Sequence, residues 1–161
     1  MQAPAIPPDS VTAQEVARGV ARWMWRAGIA PLAEVPLGNG RRADVVGLGP
    51  DGRLTLVEIK VALSDLRGDG KWPEYLDYCD RYFWAVPPGF PLADFADDWF
   101  RPDTSGLIVA DRWDGSEVRP AAWSLLSAPR RKAETLRFAR RAAQRVLWLA
   151  DPGAGEAARL P

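Results

Sequence analysis

Histidine is absent from this chain of 161 residues, and cysteine occurs once, as Cys79. Without histidine the chain cannot build a His-ligated zinc site, a Ser-His-Asp triad or a histidine general base. A single cysteine cannot close an internal disulfide, which is typical of proteins in a reducing cytosol, so we expect a cytoplasmic protein. Any bound metal ion would have to be held almost entirely by oxygen atoms.

The chain also lacks net charge and long apolar runs. It has 21 Lys and Arg against 21 Asp and Glu, so any attraction to nucleic acid must come from local clusters of charge. No apolar stretch approaches the ~20 residues of a membrane-spanning helix, and the first residues do not read as a signal peptide. We expect one domain over 1–161, with 1–9 and 151–161 as loose tails and no membrane contact.

The most informative stretch is a predicted hairpin between residues 41 and 60. Its turn, 49–53, reads G-P-D-G-R, with Pro and Asp where a type I turn favours them and Gly where φ must be positive. In the three-residue loop that this sequence favours, the glycine at 49 pairs with the arginine at 53. Counting back along both strands places Asp44 directly opposite Glu58.

Lys60 lies two residues beyond Glu58 and therefore on the same face of the sheet. Two facing carboxylates repel unless they share a proton, pair with a cation or bind a metal ion, and the residues alone leave all three open. Mg²⁺ or Mn²⁺ would suit the carboxylates of Asp44 and Glu58 together with the backbone carbonyl of Ile59. Lys60 could then position or deprotonate water, or bind a phosphate oxygen. The alternative is an ordinary surface ion pair on a hairpin.

A first helix is predicted from a cap at Ser10 or Thr12 to about Ala27, because Thr12-x-x-Glu15 fits a capping box. A row of arginines at four-residue spacing, typical of a solvated face, lies along it: Arg18, Arg22 and Arg26.

A first strand is predicted over 32–37. Its Glu34 is a further candidate ligand or, more simply, a cross-strand partner of Arg41 or Arg42, which are themselves candidates for phosphate contact.

A second helix is predicted over 71–81, and it would place Lys71 and Tyr75 one turn apart on one face. These two side chains are candidates for holding a phosphate, with packing on the sheet as the alternative for Tyr75. Packing is the expected role of Trp72. The segment 87–102 reads as a long irregular loop with apolar anchors, which is typical of functional flaps.

The last predicted helix covers about 129–150 and concentrates positive charge. Between residues 130 and 145 it has seven basic residues and one acid, Glu134. Four of the arginines share one face: Arg130, Arg137, Arg141 and Arg145. Like charges one turn apart destabilise a helix, so we expect this face to contact nucleic-acid phosphate. The alternative is pairing with the acids of 94–98 or with another subunit.

Asp44 followed by Glu58-Ile59-Lys60 resembles the motif of the PD-(D/E)XK nuclease superfamily, an acid on one strand and E-x-K on the next. Ala43 departs from the proline that many members have before the acid. A longer resemblance, roughly over 11–149, is to the MmcB-like DNA repair protein family. It rests on R-R-A-D-V-V-G-L, on L-V-E-I-K-V-A-L-S-D-L-R-G-D-G-K-W-P-E-Y-L-D-Y-C-D-R-Y-F-W-A-V-P and on a Trp-rich tail.

The resemblance implies an α/β fold with a restriction-endonuclease-like αβββαβ core, in which helices flank a mixed central sheet. It implies a Mg²⁺- or Mn²⁺-dependent nuclease that acts on DNA in repair, with Asp44 and Glu58 as metal ligands and Lys60 positioning the attacking water. In this superfamily an acid on the first helix can join the metal site, which makes Glu15 a candidate. Lys71 and Tyr75 resemble a Gln-x-x-x-Tyr feature of several members.

Two other classes of function remain open from the sequence. One is a nuclease-fold module that binds DNA or a partner without turnover. The other is a protein-interaction module, assembled as a homodimer or with a repair protein.

Overall fold

A single sheet of six strands organises the chain, and the computed structural model describes it within residues 10–157. The strands lie side by side in chain order: Ala30–Pro36 (β1), Arg42–Leu48 (β2), Leu54–Ile59 (β3), Arg81–Val86 (β4), Gly106–Ala110 (β5) and Gly115–Arg119 (β6). The first three strands are antiparallel, β4 and β5 run parallel to β3, and β6 is antiparallel to β5. The mixed sheet of the predicted α/β class is confirmed.

Helices cover both faces of this sheet. They are Ala13–Arg26 (α1), Leu63–Arg67 (α2), a 3₁₀ helix at Trp72–Tyr78, 3₁₀ turns at Ala93–Ala96 and Asp98–Phe100, Ala128–Ala150 (α3) and Pro152–Ala157 (α4). Residues of α1 belong to one buried cluster, and residues of the 3₁₀ helix and α3 belong to the other. Along β4, Tyr82 and Trp84 join the second cluster while Phe83 and Ala85 join the first, so the two clusters lie on opposite faces. Within residues 10–157, no helix has the length and apolar character needed to span a membrane.

The first helix begins where its sequence predicts. Thr12 is the N-cap, its hydroxyl accepts from the Glu15 amide at 3.2 Å, and the Glu15 carboxylate accepts from the Thr12 amide at 3.0 Å. The apolar stripe of α1, which includes Val16, Val20 and Met24, is fully buried against the sheet. Local capping and tertiary packing therefore favour the same helix.

An aromatic cluster fills the opposite face. Its rings lie with centroids 5.1–5.9 Å apart and belong to Trp72, Tyr82, Trp84, Phe95 and Phe100. The packing role predicted for Trp72 is thus confirmed. The two phenylalanines anchor the long segment over 87–102 to the core, which explains how so irregular a stretch stays in place.

The predicted helix over 71–81 was wrong in type and in length. A 3₁₀ helix ends at Tyr78, Cys79 is extended and β4 begins at Arg81. Tertiary contacts explain the early end, because the Asp80 amide donates to the Leu54 carbonyl at 2.9 Å and draws the chain into the sheet.

Asp80 fixes several segments through its buried carboxylate. It accepts from the amides of Leu54 at 2.7 Å and Leu126 at 2.8 Å, and it pairs with both terminal nitrogens of Arg131 at 2.7 and 2.5 Å. Burial alone would raise the pKa of Asp80, but these hydrogen bonds hold it below its usual value. The start of α3 is thereby tied to the start of β3.

Two predictions concerned the chain ends. The expected loose tail at 1–9 lies outside the described residues. The loose tail predicted over 151–161 was wrong for 152–157, because these residues form α4. Residues 158–161 lie outside the described part of the chain.

The contact between α1 and the β5–β6 turn depends on Gly19. A Cβ atom at this position would lie 2.0 Å from the Asp111 carbonyl oxygen and 2.6 Å from that of Asp114. We expect Gly19→Ala to lower the free energy of unfolding by about 1–3 kcal/mol or more, since backbone must move to admit the methyl group. Urea unfolding measures this. Gly70→Ala is the matched control, because a Cβ there meets no atom within 4 Å. Equal stability of the two variants would contradict this role.

Candidate functional site

The hairpin turn has the predicted geometry. Gly49 and Arg53 pair through a hydrogen bond of 2.9 Å from the Gly49 amide to the Arg53 carbonyl, and Gly52 has a φ of +83°. The strand register includes the pair Val45 and Val57. The next pair along the same register is Asp44 and Glu58, as the turn sequence predicts.

Beyond Val45 and Val57 the two strands stop pairing through their backbones. The Asp44 amide donates to the Glu58 carboxylate at 3.1 Å, and the Ile59 amide donates to the Asp44 carboxylate at 2.8 Å. The Asp44 carboxylate therefore accepts from the Ile59 amide, which a continuous ladder would pair with the Ala43 carbonyl. The two acidic side chains bridge the gap between β2 and β3, and these hydrogen bonds hold them in place.

Glu58 is 6% exposed. Burial, followed by the neighbouring charge of Asp44, raises the pKa of Glu58 to about 9. The pair therefore holds a proton at neutral pH when no cation compensates its charge. Of the three ways to reconcile facing carboxylates, a proton held on Glu58 is the one that its raised pKa favours.

The donor set fits a hard divalent cation. One oxygen of Asp44 and one of Glu58 accept the backbone hydrogen bonds described above, and the two carboxyl groups also lie within hydrogen-bonding reach of each other. The Lys60 amide donates to the Ala85 carbonyl at 2.9 Å, so the polar groups of Ile59 itself point away from β4, towards Asp44. Two carboxylate oxygens and the Ile59 carbonyl are ligands that Mg²⁺ accepts, with water completing the shell. In the described part of the chain, no three or more acidic, cysteine or histidine side chains are grouped for a metal.

Lys60 is held at the edge of the acidic pair by a residue that the sequence analysis missed. Its ammonium nitrogen lies 2.8 Å from an Asp69 carboxylate oxygen, and both side chains are only 14% exposed. The same nitrogen lies 6.0 Å from the centre of the Trp84 ring. Asp69 stands between glycines 68 and 70 in the loop that joins α2 to the 3₁₀ helix. An acid in a glycine-rich loop was the sequence signal that could have pointed to it.

The 3₁₀ helix brings Tyr75 to the site. Its hydroxyl lies 3.4 Å from the Arg42 carbonyl oxygen. Burial, together with the charges of Glu58 and Asp44, raises the pKa of Tyr75 to about 12, so the phenol remains a hydrogen-bond donor. Lys71 precedes the helix as an exposed N-cap, so the shared helical face predicted for it and Tyr75 does not form. Arg41 forms an ion pair with Glu74.

Glu34 lies across from Asp44 on β1, between the pairs that join Ala33 to Val45 and Val35 to Ala43. It has a φ of +54°, an unusual conformation for a residue other than glycine. Its carboxylate lies 3.6 Å from Arg42, which matches the cross-strand pairing considered from the sequence.

The arginines of α3 divide into different environments. Arg130 stacks on Tyr78 at 4.3 Å and Arg137 pairs with the buried Glu134 at 3.1 Å. Arg145 donates to the Glu34 carbonyl at 2.8 Å. A cavity of about 480 Å³ opens beside these residues, and its lining comprises Pro36, Arg137, Arg140, Arg141, Ala143 and Gln144. Three guanidinium groups therefore converge on one concave surface next to β1.

Comparison with known proteins identifies the family. Residues 5–153 match the family described as DNA repair protein MmcB-like. The chain belongs to the MmcB-like family. A solved structure, the SPO1766 protein of unknown function from Silicibacter pomeroyi, is similar with a TM-score of 0.79 and 40% sequence identity. That match covers 92% of this chain and 95% of the other. No curated protein matches the sequence.

Glu15 is engaged away from the acidic pair of this MmcB-like chain. Besides capping α1 at Thr12, its carboxylate pairs with Arg112 at 3.1 Å, beside the β5–β6 turn. The structure therefore brings together Asp44, Glu58 and Lys60, and it gives Glu15 a structural role in α1.

The raised pKa of Glu58 makes stability depend on pH. Between its ordinary value of 4.5 and about 9, the folded chain holds a proton that the unfolded chain has lost. The free energy of unfolding should fall as pH rises through this window, by up to ~1.4 kcal/mol per pH unit from this group. Glu58→Gln keeps an oxygen for the Asp44 amide but removes the titration, so this slope should disappear.

Urea unfolding in divalent-free buffer across this pH range measures the effect. Glu117→Gln, a change at an exposed glutamate of β6, is the control and should retain the wild-type slope. If Glu58→Gln and the wild type lose stability in parallel as pH rises, Glu58 does not hold the proton.

Proposed function

We propose that this chain is a metal-dependent nuclease of the PD-(D/E)XK type that cleaves DNA phosphodiesters in repair. The main support is the pair Asp44 and Glu58, which bridges β2 and β3 where the backbones of these strands separate, with Lys60 beside it. The family's description supports the link to DNA repair. The αβββ(α)β order of the elements, with β4 parallel to β3, agrees with the superfamily's core.

Asp44 and Glu58 would hold the cation through their second oxygens, with the Ile59 carbonyl as the third protein ligand. When bound, Mg²⁺ supplies Lewis acidity to a phosphate oxygen and lowers the pKa of a coordinated water molecule. Glu58 must lose its proton before it can ligate, so cation affinity should rise with pH. Lys60, held by Asp69, would orient the attacking water, and the Tyr75 hydroxyl would donate to a phosphate oxygen.

A basic surface leads to the acidic pair from the α3 side. Arg145 contacts the Glu34 backbone and Arg42 contacts the Glu34 side chain, so these two arginines lie next to the strand position facing Asp44. The cavity with Arg137 and Arg141 continues this surface along α3. A DNA backbone along this line would meet guanidinium groups before its scissile phosphate reaches the carboxylates.

The second candidate is a nuclease-fold module that binds DNA without cutting it. The ion pair between Lys60 and Asp69 favours this reading, because it satisfies the ammonium group inside the protein. Both candidates use the same basic surface, and they differ in whether the acidic pair turns over substrate.

Cleavage of labelled single-stranded, duplex and branched DNA with Mg²⁺ or Mn²⁺ separates the two. We expect metal-dependent cleavage by the wild type and a loss of about 10²–10⁴-fold in both Glu58→Gln and Lys60→Met. Mg²⁺ should also raise the thermal midpoint of the wild type and of Lys60→Met, but not that of Glu58→Gln, because only the latter lacks a ligand.

Glu117→Gln, which removes an exposed carboxylate on β6, is the control and should cleave like the wild type. DNA binding without cleavage in every variant would overturn the nuclease proposal in favour of the binding module.

The α3 surface can be tested by binding alone. We expect the double variant Arg137→Gln, Arg141→Gln to bind a labelled duplex more weakly and to reduce the salt-dependence slope by about two, one for each lost phosphate contact. Glutamine is chosen because its amide can still donate to Glu134. Lys132→Gln removes an exposed charge from the same helix outside the cavity, and it should change the slope less. An unchanged slope in the double variant would exclude this surface from the DNA contact.

A further inference from the structure

A second basic and aromatic surface lies on α1, on the sheet face opposite the aromatic cluster. It surrounds a cavity of about 520 Å³. The lining residues are Arg18, Ala21, Arg22, Trp25, Arg26 and Trp113. Trp25 is 71% exposed and Trp113 is 63% exposed, although neither belongs to the acidic site. Two large apolar rings left in water beside three arginines need an explanation beyond folding.

The β5–β6 turn that carries Trp113 is held against α1. Arg22 donates to the Trp113 carbonyl at 3.0 Å, which ties the β5–β6 turn to α1. Within that turn, Asp111 accepts from the amides of Trp113 at 2.7 Å and Asp114 at 3.0 Å. Arg26 pairs with Asp114 as well. The backbone that carries Trp113 is therefore preorganised beside Trp25.

Among the described residues, the ring faces of Trp25 and Trp113 are not covered by other side chains, whereas those of Trp23 and Trp123 have partners. Trp23 packs edge-on against Phe83, and Trp123 has the guanidinium groups of Arg53 and Arg81 at 5.1 and 4.3 Å from its ring. Within residues 10–157, no aromatic or cation–π partner is found for Trp25 or Trp113. The three nearby arginines therefore line the cavity without covering the rings.

We propose that this α1 surface binds single-stranded DNA by stacking unpaired bases on Trp25 and Trp113. Unpaired bases expose the π faces that indole rings stack on, and the arginines match the negative backbone. Arg18 has no hydrogen bond or ion pair in the described part of the chain, so its charge is free for a phosphate. Arg22 and Arg26 also hold the turn, and they add positive potential at the rim of the cavity.

This inference does not rest on the nuclease proposal. The acidic pair belongs with Lys60 and Tyr75 beside the aromatic cluster, whereas α1 packs on the other face of the sheet. A chain that fails to cleave DNA would still bind single strands here. A chain without this surface could still cleave.

Fluorescence anisotropy with a labelled oligothymidylate, in EDTA to prevent turnover, tests the inference on the full chain. We expect Trp25→Ala and Trp113→Ala each to weaken binding by about five- to hundredfold, as loss of a stacking platform does. Trp25→Phe should recover much of the affinity, because an aromatic face remains. Arg18→Gln should reduce the salt-dependence slope by about 0.7, the value for one lost phosphate contact on a single strand. Trp99→Ala, at another exposed tryptophan outside the cavity, is the matched control and should bind like the wild type.

Two outcomes would overturn the proposal. Equal affinity of Trp25→Ala, Trp113→Ala and the wild type for the oligonucleotide would show that the rings are not used. Equal loss of duplex affinity in these variants would show that unpaired bases are not what the surface recognises. Thermal unfolding of each variant checks that it is folded. Because the substituted side chains are exposed, we expect every variant to fold.

Discussion

The parting of β2 and β3 is the constraint on which the site depends. A continuous ladder would pair the backbones of Ala43 and Ile59, and the carboxylates of Asp44 and Glu58 would then have no amides to bind. Because the strands separate after Val45 and Val57, each acid takes an amide of the neighbouring strand. The acids are thus held by hydrogen bonds that belong to the fold, and burial of Glu58 beside Asp44 raises its pKa to about 9.

Charge is segregated in a chain whose total is zero. The acids Asp44, Glu58 and Asp69 gather near one end of β3, while α3 carries most of its arginines towards β1. The apolar residues Leu136 and Leu147 of that helix are instead 53% and 52% exposed. An amphipathic helix usually buries its apolar stripe. In α3 the buried residues are instead Glu134 and Phe138, while Arg145 reaches the Glu34 carbonyl of β1 and Arg130 stacks on Tyr78 of the 3₁₀ helix.

Local sequence predicted the parts of the fold that local interactions determine. The turn at Gly49–Arg53 sets the register of the hairpin and hence the facing of Asp44 and Glu58, and the Thr12 cap sets the start of α1. The 3₁₀ helix could not be predicted in this way, since Asp80 ends it through contacts with Leu54. Asp69 was missed for the same reason: its role depends on how the loop after α2 folds back on Lys60, and spacing along the chain does not encode that.

The charges of the site are balanced at Lys60. In the free protein its ammonium group is neutralised by Asp69 and lies over Trp84, while the neighbouring carboxyl pair carries a proton. Both charges are thus compensated internally, which keeps an acidic cluster stable beside a buried aromatic core. Lysine has a compact ammonium group on a flexible stem, so its contact with Asp69 is less rigid than the bidentate pair that a planar guanidinium would form. The contacts with Asp69 and Trp84 therefore hold the Lys60 ammonium group beside the acidic pair.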